Sequence, residues 1–264
     1  GLGILAAATM TIDELATAIT KVKAATDRPF GVNIRADAAD AGDRIELMIR
    51  EGVKVASFAL APNQELIARL KESGAVVIPS IGAAKHARKV AAWGVDAVIV
   101  QGGEGGGHTG PVPTTLLLPS VLDALEGTNV AVVAAGGFFD GRGLAAALSY
   151  GAAGVAMGTR FLLTSDSTVP EAVKQRYLAA GLDGTVVSTR VDGMPHRVLK
   201  TGLVEKLESG SRMRGFSAAI LNAAKFKKMS KMTWTSMIRD GLAMRQGKEL
   251  TWSQVVMAAN TPML

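Results

Sequence analysis

The feature that most constrains this chain is a repeat. Short apolar, β-branched runs alternate with segments of helical periodicity, one unit about every 22 to 35 residues. Such an alternation builds a parallel sheet, because each helix carries the chain back to the start of the next strand. Strands are expected at residues 3–8, 30–34, 53–58, 75–79, 97–101, 130–135 and 154–157. The first helix opens with Thr11 and Glu14, a capping box before LATAITKVKAAT. Further helices are expected at 40–51, 62–73, 83–93, 114–126 and 140–150. Seven strands fall one short of a closed eight-unit α/β barrel. The chain starts inside an apolar, strand-like run, so the reading adopted is a barrel whose first strand precedes Gly1; an open doubly wound sheet is the alternative. The last two visible strands are then the seventh and eighth.

Residues 1–165 form the expected barrel, and residues 166–264 a small C-terminal α/β cap. The cap should hold a helix near 170–180 and strand-like runs near 184–191 and 196–203. Net charge is +6, and residues 200–248 hold eleven Lys/Arg against three acids, so that segment carries +8 and the rest −2. Within it, SAAILNAAKFKKMSKMTWTSMI combines Lys225, Lys227, Lys228 and Lys231 with Met229, Met232 and Met237. It reads as an amphipathic helix with a solvated lysine face and methionine filler. The alternative is a lid whose lysines meet the phosphates of coenzyme A. Nucleic acid is not an expected partner, since aromatics are sparse and no reading motif accompanies the charge, and a membrane surface ranks below both readings of this helix and is not expected either. Apolar runs fall far below the roughly 20 residues of a spanning helix, and a cytoplasmic location is expected. The oligomeric state is open, a homodimer being one option.

Cysteine is absent and histidine occurs three times. Disulfides, thiolate metal sites and cysteine nucleophiles are thereby excluded, and no metal site is expected. The glycines, 30 of 264 residues, collect at strand ends. AVVAAGGFFDGRG and GVAMGTRF place Gly136–Gly137 and Gly158–Thr159 at two adjacent strand ends, where barrels of this kind often bind phosphate through bare backbone N–H groups. No GxGxxG follows the first strand and no GxxxxGK[ST] occurs, so Rossmann and P-loop sites find no support. The run DAVIVQGGEGGGHTGPVP puts His108 on a glycine-rich loop after the fifth strand, suited to moving a proton near neutrality. Gln101 and Asn33 offer amides from neighbouring rims. His86 reads as solvated on a helix, and His196 as part of a turn.

Taken together, QGGEGGGHTG, AAGGFFDGRGLAAALSYGAAGVAMGTRF and PFGVN resemble the FMN-dependent nitronate monooxygenases, formerly 2-nitropropane dioxygenases, and their relatives the flavin-dependent enoyl-thioester reductases. The resemblance spans Gly1 to about Arg197. It implies a TIM (β/α)8 barrel with FMN at the C-terminal rim, held by Asn33, Gln101, Gly106, Gly136, Gly137, Ala156, Met157, Gly158 and Thr159, and His108 as the catalytic histidine. Three departures stand out: the first-strand Gln-x-Pro-Met-like motif is absent, the usual EAGGH is EGGGH with Gly105 for Ala (a mild change), and Ser80 stands where some nitronate enzymes place a lysine. The first expectation is oxidation of alkyl nitronates with O2 to carbonyl and nitrite. The alternative is an FMN-dependent reductase, with NAD(P)H as electron donor, of an enone or enoyl-CoA/ACP thioester in lipid or steroid metabolism. A non-catalytic barrel binding a phosphorylated ligand is the third reading.

Overall fold

A computed structural model describes residues 1–209 apart from Ala61, Val191 and Asp192. The chain divides into two compact units, Gly1–Thr168 and a second beginning at Val169.

The first unit is a parallel sheet covered by helices. In chain order it contains β1 (Ile4–Ala6), α1 (Ile12–Ala25), β2 (Gly31–Arg35), α2 (Ala41–Arg50), β3 (Val55–Ala59), α3 (Gln64–Glu72), β4 (Val76–Ile81), α4 (Ala84–Ala91) and β5 (Ala97–Gln101). A two-residue extended segment, β6 (Gly107–His108), follows, then α5 (Thr114–Ala124), β7 (Ala131–Ala135), α6 (Gly141–Tyr150), β8 (Gly154–Ala156) and the single turn α7 (Thr159–Leu162). The seven strands pair in the order β1-β2-β3-β4-β5-β7-β8. All seven expected strands are present, and their boundaries shift by a residue or two. An eighth strand is not among the described residues, so the sheet is an open parallel half-barrel with β1 and β8 at its edges.

The sheet's two faces differ sharply in chemistry. Side chains alternate along a strand. Val32, Ile34, Ala56, Phe58, Val77, Val98, Val100, Val132 and Ala134 point one way and join Leu15, Ile19, Ile45, Met48, Ile67, Leu70, Leu118 and Val121 of the helices in one buried core. The alternate positions are Asn33 and Arg35 on β2, Ser57 on β3, Ser80 on β4 and Gln101 on β5, with Val55, Ile78, Ala97, Ile99 and Ala131 forming a small apolar cluster there. Every polar side chain of strands β2 to β5 thus lies on the face away from the helices.

Local signals place the helices as the sequence predicts. Thr11 Oγ1 accepts from Glu14 N (3.2 Å) and Glu14 Oε2 accepts from Thr11 N (2.8 Å), completing the capping box. Arg44, only 7% exposed, donates from α2 to the carbonyls of Ala7 (2.9 Å) and Met10 (2.6 Å) and to Asp40 Oδ2 (2.8 Å), fastening α2 to the β1–α1 connection.

The second unit contains α8 (Glu171–Ala179), an antiparallel hairpin of β9 (Thr185–Ser188) and β10 (His196–Leu199), and α9 (Gly202–Ser209). His196 does not lie in a turn: it opens β10 opposite Ser188 and is 2% exposed. The expected second run to residue 203 stops at Leu199 because α9 begins at Gly202. The Met- and Lys-rich segment with Lys225, Lys227, Lys228 and Lys231 lies outside the described residues. Among the described residues, no helix is long and apolar enough to cross a membrane.

Candidate active site

The expected site residues cluster at the C-terminal ends of β5, β7 and β8. Register aligns Gln101 with Ala135 and Ala135 with Ala156, so the ends of these three strands are level. The amide of Gln101 turns back on the loop that follows it: Nε2 donates to the His108 carbonyl oxygen at 2.7 Å. This bond fixes the backbone that presents the imidazole, which is partly exposed.

Glycine is required along this rim for reasons of space as well as conformation. A Cβ on Gly102 would fall 2.0 Å from Thr114 Oγ1 and 2.5 Å from that residue's backbone. A Cβ on Gly105 would fall 2.5 Å from Gln101 Nε2. The exchange of Ala for Gly at this position is therefore more than the mild change the sequence implies: in this chain Gly105 is the space into which the Gln101 amide folds. Gly136 (φ +95°) and Gly137 (φ +81°) are left-handed, and a Cβ on Gly136 would lie 3.0 Å from Gly105 N and 3.1 Å from Gly102 O. The turn after β7 is thus packed directly on the loop after β5.

Two helix starts at this rim are satisfied from within the chain. Asp140 Oδ1 accepts from Arg142 N and Gly143 N, both 3.1 Å, and these amides, Gly143 first, with the Arg142 guanidinium hold its carboxyl below the usual carboxylate range. Glu104 Oε2 accepts from Thr114 N (2.9 Å) and Thr114 Oγ1 (2.7 Å) at the start of α5. What stays open to a ligand is the backbone at Gly137, Gly158 and Thr159, all exposed, with the Thr159 hydroxyl beside Gly106 (3.6 Å from a Cβ built there). Ala156 and Met157 lead into this segment and are partly exposed.

Asn33 is the member placed apart. It shares the helix-free face with Gln101, but its register partners are Ala6 and Ser57, and its Nδ2 donates to Ser57 Oγ at 3.1 Å. Among the residues that sequence reasoning missed are Ser57, Glu104 and Thr114. Glu104 carries one usable signal: Pro113 before α5 has no side-chain acceptor to offer as a cap, which leaves the first amides of that helix open to an acceptor from elsewhere. His86 is exposed on α4. Among the described residues, no group of three or more His, Asp or Glu could hold a metal ion.

These features define a parallel α/β protein with a polar strand face and glycine-lined strand ends. The profile of the nitronate monooxygenase family matches residues 1–261. The (3aS,4S,5R,7aS)-5-hydroxy-7a-methyl-1-oxo-octahydro-1H-indene-4-carboxyl-CoA dehydrogenase of Mycobacterium tuberculosis is 86% identical over 264 residues, covering 100% of this chain and 74% of the relative. FabK of Thermotoga maritima superposes with a TM-score of 0.75 at 40% identity, over 82% of this chain and 70% of that one. A nitroalkane oxidase of Streptomyces ansochromogenes does so with a TM-score of 0.71 at 31% identity, over 78% and 71%. The chain belongs to the nitronate monooxygenase family of oxidoreductases.

Proposed function

We propose that this chain is an FMN-dependent oxidoreductase that exchanges hydrogen with the acyl part of a coenzyme A thioester, a fused-ring carboxyl-CoA of the kind named for the M. tuberculosis relative. The observation that carries the substrate class is 86% identity over the whole chain. It moves the balance from nitronate oxidation, the first expectation from sequence, toward the thioester alternative. Ser80 in place of a lysine supports the same shift.

The residues present fit FMN. A phosphate requires backbone that no Cβ obstructs, and Gly137 and Gly158 are bare, exposed and at adjacent strand ends. The polar edge of a flavin requires amides, and Asn33 and Gln101 lie on one face of the sheet. When bound, FMN supplies the hydride acceptor or donor, a capacity no side chain here has. In this reading Gly106, Gly136, Gly137 and the Ala156–Thr159 segment hold the cofactor. One more strand between β8 and β1 would close the sheet into a (β/α)8 barrel.

His108 handles the proton. Its imidazole takes a proton from the substrate carbon adjacent to a carbonyl in dehydrogenation, and returns it there in the reductive direction, for which NAD(P)H is the electron donor. Gln101 orients it by fixing its carbonyl, so that general acid–base work contributes about 10²- to 10⁴-fold. The Gly-rich loop keeps bulk away from a large flat substrate.

The test is anaerobic mixing. The fused-ring carboxyl-CoA should bleach the visible flavin band of the purified protein, and His108→Ala should retain the flavin while losing about 10²- to 10⁴-fold in bleaching rate. Oxygen uptake and nitrite release with an alkyl nitronate, without bleaching by the thioester, would restore the nitronate reading. A colourless protein that takes up no FMN would remove both.

A further inference from the structure

We infer that Glu104 is a positioning residue: acting through Thr114, its carboxylate locks the loop that carries His108 to the Gly136–Gly137 turn. The inference rests on the proposed function for what those two segments do, but its structural content stands apart from it.

Three elements meet at Thr114, which is 6% exposed. Its backbone N–H and its hydroxyl both donate to Glu104 Oε2, at 2.9 Å and 2.7 Å, across ten residues of chain. The same hydroxyl oxygen lies 3.2 Å from the Gly136 carbonyl, a second and longer acceptor for its one proton. A shared proton of this kind links loop and turn through a single atom. Backbone contacts complete the joint: Gly102 N donates to Ala135 O (3.1 Å) and Gly105 N to Gly102 O (3.0 Å), while Thr109 Oγ1 donates to Gly102 O (3.0 Å).

The arrangement exceeds what helix capping needs. A cap is ordinarily a Ser, Thr, Asp or Asn immediately before the helix, as Asp140 is for α6. Here the acceptor comes instead from the middle of the glycine-rich loop, at a residue flanked by glycines on both sides. Between Gln101 and His108 every residue but Glu104 is glycine, so Glu104 is the one residue of that stretch whose own side chain can hold it, beside the Gly103 N bond to Val112 O (2.8 Å) and the reach of Gln101 and Thr109 from either end. A carboxylate is the suitable anchor, because charged acceptors make shorter and stronger hydrogen bonds than neutral ones.

Amide hydrogen exchange, FMN affinity and steady-state kinetics on Glu104→Ala, Glu104→Gln and Thr114→Val test this. In Glu104→Ala, exchange should speed up together at residues 102–108 and 136–137, the FMN dissociation constant should rise and kcat should fall, each about tenfold, with KM for the thioester within about threefold. Glu104→Gln keeps an oxygen in place and should restore most of each loss. Thr114→Val keeps the amide bond but loses the hydroxyl, and should free residues 136–137. Unchanged exchange at 136–137 in both Glu104→Ala and Thr114→Val would overturn the inference, as would lowered stability with FMN affinity and kcat intact. If Glu104→Ala fails to fold, Thr114→Val decides by the same exchange readout. A wild type that binds no FMN would defeat the functional reading alone, since the exchange result does not depend on it.

Discussion

At the scale of single residues, the rim depends on absences. Gly105 matters for the side chain it lacks, since any Cβ there would sit 2.5 Å from Gln101 Nε2 and 2.7 Å from Gln101 Cγ. Gly105→Ala should therefore swing the Gln101 amide away and break its bond to the His108 carbonyl. Because the displaced atoms, Cγ included, all belong to one rotatable side chain, stability should change by no more than about 1 kcal/mol, while on the proposed reading turnover falls about tenfold through a loosened His108. Thermal melts beside single-turnover rates would separate the two, and wild-type turnover in the variant would deny Gly105 this role. Gly102 is different in kind. Its forbidden neighbour is Thr114 backbone at 2.5 Å, which cannot rotate aside.

At the scale of elements, the helices were legible because their signals are local. The Thr11–Glu14 box and Asp140 before α6 lie within three residues of what they satisfy, and such spacing can be read from sequence. The strands were legible because β-branched runs alternate with helical ones. The site was half legible. Glycine clusters and His108 announce themselves, but Ser57 beside Asn33 requires β2–β3 register across 24 residues, and Glu104 on Thr114 requires a loop path. Neither leaves a periodic trace. His196 reads as a turn residue because Gly193 and Pro195 signal a turn just before it, whereas the strand begins at His196 itself.

The α2 element also carries a pH dependence. The hydrogen bond from Arg44 holds the Asp40 carboxyl below its ordinary 3.8. A depressed folded pKa gives stability that is present above the unfolded value and lost as pH falls through the folded one. Asp40→Asn should therefore cost on the order of 0.5 kcal/mol at neutral pH, given the partial exposure of the pair. The gap from wild type should close as pH drops below about 4. Urea titrations at both ends of that range would show it, and a gap that widened in acid would contradict the assignment.

At the scale of the whole molecule, the sheet sorts its residues by face. Apolar side chains meet the helices, and Asn33, Ser57, Ser80 and Gln101 collect on the other side. This division explains why a chain so rich in small apolar residues can still offer polar chemistry: the pleat separates the two tasks residue by residue. Nitronate and thioester chemistries can share such a face, because the fold supplies the platform and the site residues supply the reaction.

The turns at the strand ends are held by the chain's own atoms, through Gly102 N on Ala135 O, Gln101 on His108 and Glu104 on Thr114. The order of assembly follows from this. On the proposed FMN-dependent reading, the scaffold should reach its native form with no small molecule present, and the flavin should arrive afterwards as a guest that can leave again. Protein stripped of FMN should keep its far-ultraviolet circular dichroism, and re-adding FMN at a hundred times its dissociation constant should raise stability by about 2.7 kcal/mol. Collapse of the stripped chain would mean that the guest is part of the frame. Otherwise, on the proposed reading, how much of the cellular pool is active becomes a question of flavin supply, independent of folding.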